Sequence, residues 1–285
     1  MTTTIDLNAA WAAFQQERSV TLCATSLSTD YAQVQKWFDR CPIQELDRGR
    51  EIMSWIWAQE PNKAARRVAM YLKTLYRWAA SEDVALVSRN PVASYKFPKK
   101  PQGEHEVIVI PRSELPFLFA GLTSKCRKAR PWHFVAETML QTGARTGEVF
   151  AAKWDDIKGE RLLVHQNMTL THGLKASTKT NRKRWVPLNP TMRGILEELP
   201  RTSEFLFPWN RSAFQSFFQD RVGKLVEQGV ISRAYRPYDL RHTAISGWLE
   251  AGIPITQTAS WAGNSAQVIW AHYANTTSDY EMPVL

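Results

Sequence analysis

Arg236-Pro-Tyr-Asp-Leu-Arg-His-Thr243, running on to Tyr273 in Ile269-Trp-Ala-His-Tyr-Ala-Asn275, is the stretch from which the rest of this 285-residue chain can be read. Its upstream counterpart is Gln141-Thr-Gly-Ala-Arg-Thr-Gly-Glu148. Each holds an arginine beside a turn or helix end, and Tyr273 stands twelve residues from the C-terminus. The planar fork of an arginine donates two parallel hydrogen bonds, so two of them suit a phosphate held in one fixed orientation. The pattern predicts that Arg145 and Arg241 grip a phosphate of DNA and that the phenol of Tyr273 attacks it.

The totals agree with such a partner. Lys and Arg number 36 against 27 Asp and Glu, a net charge of +9 and a pI of about 9.5. A basic excess favours steering towards a polyanion, though it says nothing about fold. The length suits two domains, and 44% hydrophobic residues are enough for two cores. Cys23, Cys41 and Cys126 are odd in number and widely spaced. They read as thiols in a reducing compartment, neither a disulfide frame nor a zinc site. The six histidines lack metal-ligand spacing and no acidic pair suggests a two-metal nuclease, so neither metal nor cofactor is expected. No 18-residue apolar run and no signal segment is present, which predicts a soluble, cytoplasmic protein with no membrane partner.

Residues 1–97 read as a helical domain. Ile5, Leu7, Ala10, Trp11 and Phe14 share one side of a helical wheel. Ser26-Leu-Ser-Thr-Asp30 offers caps for a second helix presenting Tyr31, Val34, Trp37 and Phe38. A third helix spans about residues 50–59. Pro61-Asn62 opens a longer one, with Val68, Ala69, Leu72 and Leu75 on its apolar side. Its other faces carry Lys63, Arg66, Arg67, Lys73 and Arg77, either a solvated face or a DNA-contacting one. Residues 98–112 form a basic linker with Lys99 and Lys100, in a stretch whose prolines forbid a regular helix.

From 113 to 285 the pattern predicts a second, mostly helical domain with a small antiparallel sheet. Ser113 is the expected cap of its first helix. Strands are expected at 161–165, 173–178 and 184–188, the last two joined by the polar turn Thr180-Asn-Arg-Lys183. Asn189-Pro190 has the form of a helix start, and the last helices begin near Asp239, Pro254 and Ser265, with Gly252 and Gly263 as stops. The fold class is therefore mainly α with a small β-sheet.

In these motifs the chain resembles the tyrosine recombinases, the phage integrase family. Thr142-Gly-Ala-Arg-Thr-Gly-Glu148 matches that family's Thr-Gly-x-Arg-x-x-Glu box, Tyr238-Asp-Leu-Arg241 its His-x-x-Arg box, and Ala262-Gly-Asn-Ser265 its Gly-His position. The terminal tyrosine is Tyr273, and the hairpin lysine is Lys179, with Lys175 and Lys183 as competitors. One box alone carries little weight, since a Thr-Gly-x-Arg turn arises by chance, whereas five in order are specific. The resemblance implies an N-terminal core-binding domain that clamps DNA, and a catalytic domain ending in a tail. With about four residues ahead of the first helix, no further arm-binding domain is expected.

The resemblance also implies a chemistry. Tyr273 would form a 3′-phosphotyrosyl bond, and a hydroxyl from another strand would reverse it, conserving bond energy without ATP. Arg145 and Arg241 would stabilise the charge developing on the phosphate. Lys179 would protonate the leaving 5′-oxygen. Glu148 would orient an arginine, and Tyr238 and Asn264 would donate hydrogen bonds to the phosphate. These last two stand where the family usually has histidine. Both donate, but neither can carry charge or move a proton near neutral pH. His242 and His272 flank the key residues, and packing is the commoner fate of each. Of the two, His272 is the better candidate for a substitute proton acceptor.

Further DNA contacts are expected from Lys125-Cys-Arg-Lys-Ala-Arg130 and from Arg182, Lys183 and Arg184. The partners implied are double-stranded DNA, further copies of the chain in a tetramer that exchanges C-terminal tails on two DNA sites, and an accessory DNA-bending or directionality factor. Each site residue has a plainer reading: Tyr273 as a packed aromatic, Arg145 and Arg241 as salt-bridge partners of Glu148 and Asp239. Two other functions stay open, a catalytically impaired DNA-binding protein of the same fold and a type IB topoisomerase or hairpin-resolving relative.

Overall fold

A computed structural model describes residues 6–22, 26–59, 63–98, 107–123, 130–178 and 182–273. The chain divides into two compact units, Met1–Gln102 and Gly103–Leu285. In the first, α1 (Leu7–Ser19) starts where the Asp6 carboxylate accepts from the Ala9 amide at 2.7 Å, satisfying an amide that the first turn leaves unpaired. It buries Leu7, Ala10, Trp11 and Phe14 as its periodicity demands, while Ile5 lies outside the described residues. A π-helical turn (Leu27–Tyr31) runs into α2 (Ala32–Phe38). Ser26, an expected cap, is itself helical (φ −65°, ψ −40°) and makes no cap hydrogen bond, because capping requires extended backbone.

The unit is completed by α3 (Gly49–Ala58) and α4 (Lys63–Ala79). The α4 helix buries Val68, Ala69, Leu72, Leu75 and Tyr76 against a core centred on Trp11, whose ring lies 5.0 Å from that of Tyr31. Its cationic face is partly used within the unit. Arg66 donates to the Pro98 carbonyl at 2.8 Å and Lys73 to that of Tyr95 at 2.8 Å, each over the ring of Phe97.

The second unit opens with α5 (Leu115–Leu122). Its N-cap is Glu114 and not Ser113, since the first intrahelical bond runs from the Leu118 amide to the Glu114 carbonyl at 2.9 Å; Pro116, with no N–H to satisfy, fits in the first turn. Then come α6 (Trp132–Thr142) and the short α7 (Thr146–Ala151). Five short strands follow: β1 (Ile157–Lys158), β2 (Arg161–Val164), β3 (Asn167–Met168), β4 (Leu174–Lys175) and β5 (Arg184–Pro187). All pair antiparallel, in two pieces. β2 lies between β1 and β5, with Leu162 opposite Val186, while β3 pairs β4. The expected hairpin between 173–178 and 184–188 is therefore corrected. β5 alternates buried Arg184 and Val186 with exposed Trp185 and Pro187, and completes the core face that β2 begins with Leu162 and Val164.

Helices α8 (Pro190–Glu198) and α9 (Arg211–Glu227) begin at asparagine caps, Asn189 and Asn210, which accept from the Met192 and Ala213 amides at 2.9 and 3.0 Å. The last three are α10 (Pro237–Glu250), α11 (Ile255–Ala262) and α12 (Ala266–Tyr273). The buried α10 packs against α6 on one side and α11 on another. A small cluster of Ile245, Leu249, Ala259, Ala262, Ile269 and Tyr273 joins the three terminal helices. That cluster brings the end of α12 back to α10. The mainly helical architecture with its small antiparallel sheets is the one the sequence predicts.

Candidate active site

Arg241 is the anchor. It is 1% exposed on α10, and its guanidinium donates from Nη1 to the Gly143 carbonyl and from Nη2 to the Ala262 carbonyl at 2.7 Å. Gly143 ends α6 in the left-handed region (φ +59°), and a Cβ there would come within 2.6 Å of the Trp248 ring. Only glycine takes that turn at little cost. The two carbonyls offset part of the cost of burying a charge. Burial, and then the charge of Arg145, lower the Arg241 pKa, yet a guanidinium remains charged at neutral pH. The two bonds use two of its five N–H groups and fix the plane of the fork.

Around it lies a second cation set, built on Glu148. Arg145 is the N-cap of α7. Its amide donates to Glu148 Oε2 at 2.8 Å, its Nη1 to Oε1 at 2.9 Å, and its Nη2 to Asn264 Oδ1 at 2.9 Å. From the other side Arg184, the first residue of β5, donates Nη2 to Oε2 at 2.7 Å and Nη1 to Oε1 at 3.3 Å, with Nε on the Trp261 carbonyl at 2.7 Å. Burial alone would raise the Glu148 pKa, but Arg184 and Arg145 outweigh it and hold the carboxyl at about 2. One carboxylate thus organises two guanidinium groups. A cleft of about 820 Å³ opens beside Asn264, lined also by Arg161, Arg182, Trp185 and Trp261.

Tyr273 closes α12, 4% exposed, and its hydroxyl hydrogen-bonds to Nδ1 of His242 on α10. The His242 ring also meets the edge of Tyr238, centroids 4.9 Å apart at 77°. Burial raises the Tyr273 pKa; the charge of Arg241 opposes this, and Tyr238 adds to it. Burial likewise holds His242 down, at about 4, and the nearby Arg241, Arg236 and His272 add to this against the pull of Asp239. At neutral pH the pair is therefore a protonated phenol against a neutral imidazole.

The structure thus joins Arg145, Glu148 and Asn264 by direct contacts. It places Arg241 close enough to Arg145 to feel its charge, and sets the rings of both Tyr238 and Tyr273 against His242. Lys179, Lys99 and Lys100, residues 124–129 and the tail from 274 onward lie outside the described residues. Arg182 and Lys183 are exposed beside β5, as are Lys63, Arg67 and Arg77 on α4, although Arg67 is paired with Asp30 at 3.1 Å. Arg66 and Lys73 are half-buried.

Three expectations change. Arg184, placed by the sequence among the DNA contacts, is 5% exposed and committed to Glu148. Asp239 pairs with Arg236 at 3.0 Å, so Arg241 is not its partner. His242, and not the exposed His272, meets the nucleophile candidate. Helical spacing held the clue: His242 lies four residues after Tyr238, on the same face of α10. Among the described residues no group of three or more His, Cys, Asp or Glu could hold a metal, and no helix is long and apolar enough to cross a membrane.

Known proteins resemble this chain in sequence and share its fold. A Sinorhizobium fredii (strain NBRC 101917 / NGR234) protein provisionally named integrase/recombinase y4eF is 27% identical over 183 residues, 62% of this chain; the match spans 66% of that protein's length. Among solved structures, the Tn1549 transposon integrase in complex with a circular intermediate DNA superposes with a TM-score of 0.73 at 16% identity, covering 97% of this chain and 96% of that one. A lambda integrase dimer bound to a COC′ core site gives 0.71 at 13% identity, covering 98% and 99%. These likenesses establish the fold. Residues 109–279 match the phage integrase family, a span that takes in every element of the arginine and tyrosine cluster, and the chain belongs to that family.

Proposed function

We propose that the chain is a site-specific DNA recombinase that cuts and rejoins strands through a phosphotyrosyl bond at Tyr273, using neither ATP nor metal. The observation that carries this reading is the convergence of three distant segments: Arg145 tied to Asn264, Arg241 bridging Gly143 and Ala262, and Tyr273 folded back to the helix that carries Arg241. A scissile phosphate entering beside Asn264 meets preorganised cations at the place where charge develops, which is where electrostatic stabilisation is most effective. Tyr273 attacks phosphorus, the 5′-oxygen leaves with a proton supplied by Lys179, and the bond to tyrosine preserves the energy for rejoining. Tyr238 and Asn264 hold the non-bridging oxygens. The exposed Lys63, Arg77, Arg182 and Lys183, with Lys99 and Lys100, contact backbone phosphates; Met1–Gln102 acts as the DNA-gripping domain and Gly103–Leu285 as the catalytic one.

The solved relatives include a lambda integrase tetramer on a Holliday junction, 14% identical with a TM-score of 0.72, which supports a tetramer on two DNA sites for this chain as well. Trapping tests the reading. The protein is incubated with a library of nicked suicide duplexes, denatured, and the DNA retained on protein is sequenced. A covalent adduct is expected for the wild type, with none for Tyr273→Phe. Binding without an adduct would instead mark a DNA-binding protein of the same fold. Relaxed circles without two-duplex junctions would mark a topoisomerase-like activity.

A further inference from the structure

We infer that His242 is a catalytic residue for strand cleavage, taking the phenolic proton of Tyr273 as its oxygen bonds to phosphorus. The inference rests on the recombinase reading above and adds to it the one component that reading leaves unassigned. A phenol titrates near 10 and is a poor nucleophile until its proton leaves. The residue in the histidine position of the second box, Tyr238, cannot receive it near neutral pH. The imidazole one residue past Arg241 can.

Geometry puts it there. Successive residues on a helix point about 100° apart, so α10 directs Arg241 towards the ends of α6 and α11 while His242 points towards α12. With its own proton on Nε2, His242 accepts from the Tyr273 hydroxyl at Nδ1. The rings lie 5.8 Å apart, and Tyr238 packs edge-on against the imidazole and fixes its tilt. The groups acting on this ring are Asp239, Arg241 and Arg236 of its own helix region, Tyr238 one turn back, and Tyr273 and His272 of α12.

The electrostatics define when the proton moves. Burial raises the phenol and lowers the imidazole to about 4, so ionisation ahead of attack is unfavourable. Transfer must accompany bond formation, when the phenol oxygen loses its basicity and the new imidazolium gains a phosphate anion as neighbour. The step balances: the Tyr273 O–H proton passes to Nδ1, the oxygen–phosphorus bond forms, and the bond to the 5′-oxygen breaks. That oxygen keeps the electron pair and takes a proton from Lys179. Rejoining runs backwards, and His242 returns the proton to Tyr273.

His242→Asn tests this, because its Oδ1 reaches the position of Nδ1 and accepts the hydrogen bond without accepting a proton; His242→Gln is a second variant should the first fold poorly. Folding is checked by thermal melts, and DNA affinity by binding titrations, both expected to match the wild type. Single-turnover adduct formation is expected to slow about 10²- to 10⁴-fold, the usual worth of a positioned base. A parallel series uses substrate with sulfur in place of the bridging 5′-oxygen, a leaving group that needs no acid. The defect should persist there. Wild-type rates in well-folded variants would overturn the proposal, and so would a defect that disappears with the sulfur substrate, since His242 would then serve the leaving group. A wild-type protein that forms no adduct with either substrate would overturn the recombinase reading itself, a result distinct from these.

Discussion

Glu148 holds the cationic site together, and its energetics can be measured directly. It is 2% exposed and accepts from two guanidinium groups, Arg184 being nearly as buried as itself. Removing one partner of a buried ion pair leaves the others unpaired, at a cost of about 3–5 kcal/mol. Glu148→Gln should therefore lower the urea-unfolding free energy by about that much, with the slope unchanged. The pH dependence follows from the sign of the shift. A carboxyl held at about 2 against an unfolded value of 4.5 stabilises fully above pH 4.5, and the benefit, about 3 kcal/mol, is lost as pH falls towards 2. Wild-type stability should drop across that window, and the Glu148→Gln variant should lack this component. His242 acts one window higher. Its folded value lies below its unfolded one, so the unfolded chain takes up the proton first and stability falls as pH drops from 6.5 towards 4.

Among the elements, the turn ending α11 is constrained both by its backbone and by a neighbouring side chain. Gly263 has φ +67°, and a Cβ built there would meet the Arg184 guanidinium at 2.9 Å. Gly263→Ala should cost about 1–2 kcal/mol for the left-handed backbone alone, and it displaces a side chain that positions Glu148. The expected result is a lower urea midpoint together with slower adduct formation; an unchanged rate would show that Arg184 does not position the site. Much of this level was legible in the sequence. The apolar periodicity of α4, the Asn189-Pro190 start and the glycine stops at Gly252 and Gly263 are local signals, and local chemistry decides them. The caps expected at Ser26 and Ser113 failed because capping depends on backbone angles that neighbouring residues impose. The pairing of β5 with β2 was hidden because a second small hairpin intervenes between them. Arg184 and His242 were misjudged for a shared reason: their partners lie 36 and 31 residues away, and a lone cation or imidazole carries no mark of its distant contact.

At the scale of the whole molecule, five motif boxes in order predicted the family and the mainly helical fold, and the family match over residues 109–279 spans the stretch that holds them. What one sequence could not supply was whose tyrosine serves which arginines. In the described structure Tyr273 docks on α10 of its own chain, through Ile245, Leu249 and Ile269 and through the bond to His242. That arrangement has a consequence for mixtures. Combine subunits lacking the phenol (Tyr273→Phe) with subunits lacking the anchor (Arg241→Ala), each inert alone. A chain that donated its tyrosine to a neighbour would rebuild intact centres in such a hybrid, and adducts would reappear. Here every subunit spoils its own centre, so the blend should stay as silent as its parents on a denaturing gel.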